Sequence, residues 1–168
     1  INIITNPTYS KSKSFVNYQY GSFNTKNFKL NHNQKLNEYY LNTHVNYKES
    51  DGYRDENEQQ QTNLSTKINI PANRGNQFIS LNFNEQIMST PGNRNQDQLF
   101  SDRIGSATPD DFINSLGSSI LYGISSKIHE GLKFNINSSF RYKRSWYDLQ
   151  STSFPSTGDT VLTNFQIS

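Results

Sequence analysis

The sequence has no cysteine and few hydrophobic residues, which make up 32% of its 168 residues. The absence of cysteine excludes a disulfide scaffold and a thiolate metal site. No stretch approaches the roughly eighteen consecutive apolar residues that a transmembrane helix needs, which excludes a helical membrane protein. A mean hydropathy of −0.84 also leaves little material for the self-contained core of a globular domain.

An excess of either charge is also missing, because 16 Lys and Arg residues stand against 14 Asp and Glu residues. The basic residues are scattered along the chain, so the sequence lacks the basic patch that is typical of a nucleic-acid-binding protein. Aromatic residues, in contrast, are plentiful, with ten Tyr and eleven Phe. Disordered segments are depleted in aromatic residues, so this composition indicates an ordered structure.

A hydrophobic pattern of period two runs through most of the chain. In Asn63–Ile70 the even positions include Leu64 and Ile68, whereas the odd positions are polar. Successive side chains of a strand point to opposite faces of a sheet, so this pattern predicts a strand with one apolar face and one polar face. The same pattern, strong or weak, recurs in Ser14–Gly21, Lys26–Leu36, Leu41–Tyr47, Ile79–Phe83, Ser119–Ile128, Lys133–Tyr142 and Thr160–Ile167. About eight strands are therefore predicted, with all five prolines outside them.

The predicted connections alternate in length. The short ones are Asn37-Glu38, Pro71–Asn76 and Glu130-Gly131, and the long ones are Asp51–Gln60, Gly92–Gly117 and Ser151–Asp159. Ser22–Thr25 is the exception, a short turn on the side of the long loops. Short periplasmic turns and long extracellular loops are typical of outer-membrane barrels. The sequence therefore predicts an all-β, antiparallel up-and-down meander that forms part of a transmembrane β-barrel.

The parity of the apolar positions predicts which side chains face lipid. The predicted set is Leu64, Ile68, Ile70, Ile79, Leu81, Phe83, Phe134, Ile136 and Phe140. Lys133, Arg141 and Lys143 have the opposite parity, as expected for a polar lumen, whereas Tyr142 and Trp146 share the apolar parity and suggest an interfacial aromatic girdle. This alternation argues against a nucleic-acid-binding patch.

One short helix is predicted in the longest loop. Thr108 can serve as the N-cap, and Pro109 suits the first helical position. Asp110 and Asp111 favour the positive end of the helix dipole, and Gly117 can terminate the helix. These signals predict a helix of about two turns.

Four short motifs resemble those of TonB-dependent outer-membrane receptors. Ile1–Thr5 resembles the I-N-I-I-T segment that closes the plug domain, and Tyr20–Phe23 resembles the first barrel hairpin. Ser50–Asp55 resembles the D-G-Y/F-R-D/E run after the third strand, and Thr90–Gly92 resembles the P-G that often ends the fifth. Each motif is short, but their order and spacing agree with the predicted strands over the whole chain.

This resemblance implies a domain plan and a function. Residues 1–6 are expected to form the last plug strand, residues 7–12 a link, and residues 13–168 the N-terminal part of a barrel of about twenty-two strands. The implied receptor lies in the lipid of the bacterial outer membrane, draws energy from the TonB complex through the plug, and imports a scarce small-molecule nutrient such as a ferric siderophore or cobalamin. The signal peptide, TonB box, most of the plug and the final strand of the family are missing, so we expect a fragment that is inactive alone.

Candidate ligand-binding residues lie in the predicted extracellular loops. They are Tyr53, Arg54, Asp55, Arg94 and Arg103. An arginine can pair bidentately with a carboxylate of an anionic chelate, so these loops suit an anionic ligand. The alternative role for the same residues is loop solvation and the anchoring of strand ends.

Metal and catalytic sites have little support. Asn93, Asn95 and Asp97 have the alternate spacing of a calcium loop, but Gln98 and Ile104 stand where that loop needs a glycine and a bidentate glutamate. The three histidines lie on separate predicted strands, and no nucleophile is paired with a base. We therefore predict no metal, no cofactor and no enzymatic activity, and no nucleic-acid partner.

Two other classes of protein share parts of this pattern. A passive porin or an adhesin-type barrel has the same strand alternation and loop asymmetry but no plug. A soluble β-sandwich or other β-rich binding module is favoured by the low hydropathy and disfavoured by the length of the predicted strands.

Overall fold

The computed structural model describes residues 12–130, 132–149 and 156–167. These residues form eight strands and one short helix. The strands are β1 (Lys13–Gly21), β2 (Thr25–Leu36), β3 (Tyr39–Ser50), β4 (Gln59–Ala72), β5 (Gly75–Ser89), β6 (Phe112–His129), β7 (Leu132–Leu149) and β8 (Ser156–Ile167), and the helix is α1 (Gln96–Ser101).

All eight strands belong to one sheet, in which each strand pairs antiparallel with the next strand in the sequence. The prediction of an all-β, antiparallel up-and-down meander is therefore confirmed. Within the described residues, β1 and β8 form the two edges, so the sheet is open. Residues 1–6, which were assigned to the plug, and residues 7–11 of the link lie outside the described ranges.

Each predicted strand is present, but most are longer than the alternation indicated. The strands contain 9 to 18 residues. The added residues are largely polar, as in Gln59–Thr62, so they carry little hydrophobic signal, yet they continue the hydrogen-bonded ladder with their neighbours. At roughly 3.3 Å per residue, β6 and β7 are each about 60 Å long. This length exceeds the thickness of about 30 Å of a bilayer's hydrocarbon core, even for a tilted strand.

The sheet has an apolar face and a polar face, because directly opposed residues of antiparallel strands share a face. Leu64 opposes Phe83, Leu81 opposes Ile120, and Ile120 opposes Phe140. The apolar face comprises chiefly Val16, Tyr18, Tyr20, Phe28, Leu30, Leu41, Val45, Tyr47, Leu64, Ile68, Ile70, Ile79, Leu81, Phe83, Ile120, Ile124, Phe134, Ile136, Phe140, Tyr142, Trp146, Val161 and Phe165. The residues that were predicted to face lipid therefore share one face of the sheet.

The opposite, polar face is rich in asparagine, serine and basic residues. Its basic residues are Lys13, Lys29, Lys35, Lys48, Lys67, Lys127, Lys133, Arg141 and Lys143. In the described part of the chain no hydrophobic residue is buried, so neither face packs against a core.

The long connections leave one end of the sheet and the short turns leave the other. Residues 51–58 and 90–111 connect strands at the same end as the turn 22–24, whereas residues 37–38 and 73–74 form tight turns at the opposite end. This asymmetry was predicted. Pro71 departs from the prediction because it lies inside β4. It lies beyond the last residue of β4 that pairs with β3, Asn69, so its missing N–H costs no bond on that side.

The predicted helix that begins at Thr108 is wrong. Asp110 has a φ of +69°, which an α-helix cannot accommodate, and Gly117 lies within β6. The helix of this loop is α1, which begins after Asn95. The side chain of Asn95 accepts a hydrogen bond from the Gln98 amide, and the Gln98 side chain accepts one from the Asn95 amide. In the described ranges no helix is long and apolar enough to cross a membrane.

Candidate ligand-binding loops

The 51–58 loop and the 90–111 loop are joined by the side chain of Arg54. Its Nη1 donates to the carbonyl of Gly92 at 2.6 Å, and its Nη2 donates to the carbonyls of Pro91 and Gly105 at 2.9 and 3.1 Å. A guanidinium offers five donors in a fixed plane, which suits it to bridge several carbonyls. Arg54 therefore links the 51–58 loop to two separate parts of the 90–111 loop, its first residues and Gly105.

A second arginine organises the interior of the 90–111 loop. Arg94 donates to the carbonyl of Gly105 at 2.7 Å and to the carboxylate of Asp102 at 3.2 Å, and its side chain is only 9% exposed. The other oxygen of Asp102 accepts hydrogen bonds from the amides of Ile104 and Gly105. These two amides, Gly105 first, together with Arg94, hold the pKa of the Asp102 carboxyl below its usual value. The turn 102–105 is thus fixed by charge-assisted hydrogen bonds.

Backbone hydrogen bonds complete the joining of the two loops. The amide of Asp55 donates to the carbonyl of Ile104 at 2.7 Å, and the amide of Ser89 donates to the carbonyl of Glu58 at 2.9 Å. Gly92 has a φ of +65°, and a Cβ at this position would lie 2.3 Å from the Thr108 side chain. Glycine is therefore required where the longer loop turns back on itself.

The turn between β1 and β2 lies against this pair of loops. The rings of Phe23 and Tyr53 meet edge to face with centroids 5.7 Å apart, and the amide of Asp51 donates to the carbonyl of Phe23. Both rings are about half exposed. The connections 22–24, 51–58 and 90–111 therefore form one continuous surface, which we call the loop platform.

The five predicted ligand-binding residues all lie on the loop platform, but they have different surroundings. Arg54 and Arg94 are occupied by backbone carbonyls, and Tyr53 packs on Phe23. Asp55 and Arg103 are exposed, and Arg103 makes no hydrogen bond or ion pair within the described residues. Contact between these five residues and a ligand stays a prediction. The structure also shows that Arg54 and Arg94 hold the loops in place through hydrogen bonds to backbone carbonyls.

The contributions of Asp102 and Gly105 to this loop were not predicted from the sequence. The spacing Asp-x-x-Gly is a signal for an Asx-type turn and could have identified the first of them. The three carbonyls that Arg54 binds could not have been identified in this way, because they lie 37 to 51 residues further along the chain.

Metal-binding side chains are not clustered in the part of the chain that the structure describes. Asn95, which had the spacing of a calcium ligand, uses its side chain to cap α1. His32 lies on the apolar face and His44 on the polar face, so the two point away from each other.

Comparison with known proteins gives no relative. No family model matches the chain, no curated protein matches it, and no solved structure matches it. The resemblance to TonB-dependent receptors therefore depends on the motifs quoted above.

Proposed function

We propose that the sheet is a segment of the wall of a bacterial outer-membrane β-barrel, and that this barrel is a TonB-energised uptake receptor for a scarce nutrient such as a ferric siderophore or cobalamin. The observation that carries the first part is the exposed apolar face. The second part is supported by the sequence motifs and by the loop platform.

The apolar face requires a covering other than water. Central residues of this face are well exposed, including Leu81 at 48%, Ile120 at 52% and Phe140 at 47%. The accessible surface of the chain is 12152 Å², compared with about 8500 Å² for a compact monomer of this mass. A contiguous exposed apolar face that crosses several strands is rare on soluble monomers and marks a membrane or protein contact. Lipid covers such a face without a second protein layer.

Other features of the sheet suit a membrane wall better than a soluble module. A β-sandwich needs two sheets with facing apolar surfaces, whereas the described residues form one sheet. Tyr18, Tyr20, Tyr47 and Trp146 lie on the apolar face toward the end with the long loops. Tyrosine and tryptophan are enriched at the boundary between lipid and water, so these rings support an interfacial girdle at this end.

The loop platform supports a receptor in preference to a passive pore. Its loops are joined to each other by Arg54 and by backbone hydrogen bonds, which fixes the backbone that carries the exposed groups Tyr53, Asp55 and Arg103. Loops that are ordered before binding lower the entropic cost of capturing a ligand. In this proposal the platform faces the cell exterior and the short turns face the periplasm.

Two arginine substitutions at adjacent residues test the lipid assignment. Phe140→Arg places a charge in the middle of β7 on the apolar face, and Ser139→Arg places the same charge one residue away on the polar face. A lipid-facing arginine near the bilayer centre costs about 2–4 kcal/mol, so Phe140→Arg should reduce the folded, membrane-inserted fraction and Ser139→Arg should not.

The measurement is heat-modifiable electrophoretic mobility of the full reading frame in the outer membrane of a Gram-negative host. Equal assembly of the two variants would contradict the assignment of the apolar face to lipid. Ligand accumulation that persists after deletion of the TonB complex would leave the wall in place but reject the receptor in favour of a passive pore.

A further inference from the structure

Charged residues of the strands are sorted by face. The polar face carries nine basic residues and no Asp or Glu in the described ranges. The four carboxylates within strands, Glu49, Glu85, Asp148 and Asp159, are all on the apolar face. The other acidic residues lie in the connections. A net charge of only +2 for the whole chain conceals this separation.

The basic residues of the two faces differ in their partners. On the apolar face, Lys26 pairs with Glu49 at 2.6 Å, and Arg144 pairs with Asp159 through contacts of 2.6–3.2 Å. None of the nine polar-face cations makes an ion pair within the part of the chain that the structure describes. The apolar face is therefore internally neutralised at these positions, whereas the polar face lacks a source of negative charge.

Like charges are also placed opposite each other on the polar face. Lys127 and Lys133 are direct cross-strand partners, and this arrangement is unfavourable when nothing compensates it. Cations that share one face without counter-charges repel each other and attract anions from solution. The missing negative charge must come from a group outside the described residues.

A groove on this face has the size and the groups to receive such an anion. Lys29 and Lys48 lie on neighbouring strands, and Lys29 is the cross-strand partner of Asn46. Together with Asn27, His44 and Asn63 they line a groove of about 350 Å³. The ammonium groups of Lys29 and Lys48 are hydrogen-bond donors, which suits a carboxylate or phosphate group. The volume fits a small solute.

We propose that the polar face binds small oxyanions, meaning solutes that carry carboxylate or phosphate groups, and that the groove between Lys29 and Lys48 is one of its sites. This inference rests on the proposed function, in which the polar face lines the barrel interior and the imported solute passes along it. The cations are spread over six of the eight strands, so an anion would meet positive charge around much of the wall. Inside a closed barrel this face would admit small solutes and exclude a nucleic-acid duplex.

The test measures binding of citrate and, separately, inorganic phosphate to the purified full-length protein in detergent micelles. A Lys29→Gln/Lys48→Gln variant is compared with a Lys26→Gln/Arg144→Gln variant, which removes the same amount of charge from the apolar face. We expect the first variant to bind citrate about tenfold more weakly at low salt and the second to bind it like the wild type. Wild-type binding should be largely lost at about 0.5 M NaCl, because salt screens exposed charges. The two probes show whether carboxylate or phosphate is preferred.

Three outcomes would overturn the inference. The first is equal citrate affinity in both variants, and the second is that the wild type binds the polycation spermidine as tightly as it binds citrate. The third is that the wild type binds a short DNA duplex more tightly than citrate or phosphate. If a variant fails to fold, the salt dependence of citrate binding to the wild type still tests the inference, because binding that is unchanged at high salt would contradict it. Outer-membrane assembly of the same proteins is measured separately. Anion binding without outer-membrane assembly would reject the barrel and leave the anion-binding face supported. Assembly without anion binding would leave the barrel supported and reject the anion-binding face.

Discussion

The Arg54→Ala substitution removes the side chain that joins the two long loops. Arg54 donates three hydrogen bonds to the carbonyls of Pro91, Gly92 and Gly105. Hydrogen bonds that involve a charged group contribute about 1.5–3 kcal/mol each, but the three share one side chain and water can solvate the released carbonyls in part. We therefore expect the free energy of opening of the 90–111 loop to fall by about 2–4 kcal/mol.

Amide hydrogen exchange measures this opening directly. A loss of 2–4 kcal/mol corresponds to exchange that is about 30-fold to several hundred-fold faster for amides that exchange through local opening. The amides of Asp55 and Ala107 report it best, because they donate to the carbonyls of Ile104 and Pro91 within the joined loops. Amides in the middle of β4 and β5 should be unaffected, since opening of the loops leaves the ladder between these strands intact.

Two control variants distinguish the loss of the three guanidinium hydrogen bonds from the loss of positive charge. Arg54→Lys keeps the positive charge but offers a single ammonium group, which cannot reach three carbonyls in one plane, so its effect should approach that of the alanine variant. Arg103→Ala removes an exposed arginine of the same loop and should leave exchange unchanged. If exchange of the Asp55 and Ala107 amides were the same in the wild type and in Arg54→Ala, the two loops would not depend on Arg54 for their joining.

Two further predictions concern the loop platform. The pKa of Asp102 is lowered in the folded protein, so its carboxylate fully stabilises the turn above the ordinary pKa of 3.8 and loses this effect as the pH falls through the lower folded value. After correction for intrinsic exchange, the Gly105 amide should therefore lose protection below about pH 4. An Asp102→Asn variant with the same pH dependence would contradict this prediction. If the protein is the proposed receptor, Arg103→Ala should weaken binding of an anionic ligand about tenfold, as measured by calorimetric titration, while loop exchange stays unchanged. Unchanged affinity would assign Arg103 to loop solvation.

The strands and their faces could be predicted from the sequence because they depend on a local property. Alternation of Leu64 and Ile68 with polar neighbours fixes which side chains share a face, whatever the partner strand. The parity of Lys133, Arg141 and Lys143 placed three of the basic residues on the polar face. The same parity argument, applied to every strand, would have placed all nine of them there. The order of the strands followed from the alternation of short and long connections.

Strand ends and the loop interior were decided by tertiary structure. The polar residues Gln59–Thr62 join β4 only because β3 and β5 offer hydrogen-bonding partners on both sides. Thr108 and Asn95 are both acceptable N-caps by their chemistry, so the local signals could not choose between them. The choice was made by a contact across the loop, in which the Thr108 hydroxyl donates to the carbonyl of Thr90 and holds the chain next to the start of β6.

Arg54 shows the same division within the candidate site. Its residue type and its place in a loop predicted a contact with the carboxylate of an anionic ligand, and that contact stays a prediction. The oxygen atoms that it binds are backbone carbonyls of Pro91, Gly92 and Gly105, and their position depends on how two loops from different hairpins meet. A sequence determines the donors that a side chain offers, whereas the acceptors within reach are determined only when distant segments pack together, because the contact joins residues that no local pattern relates.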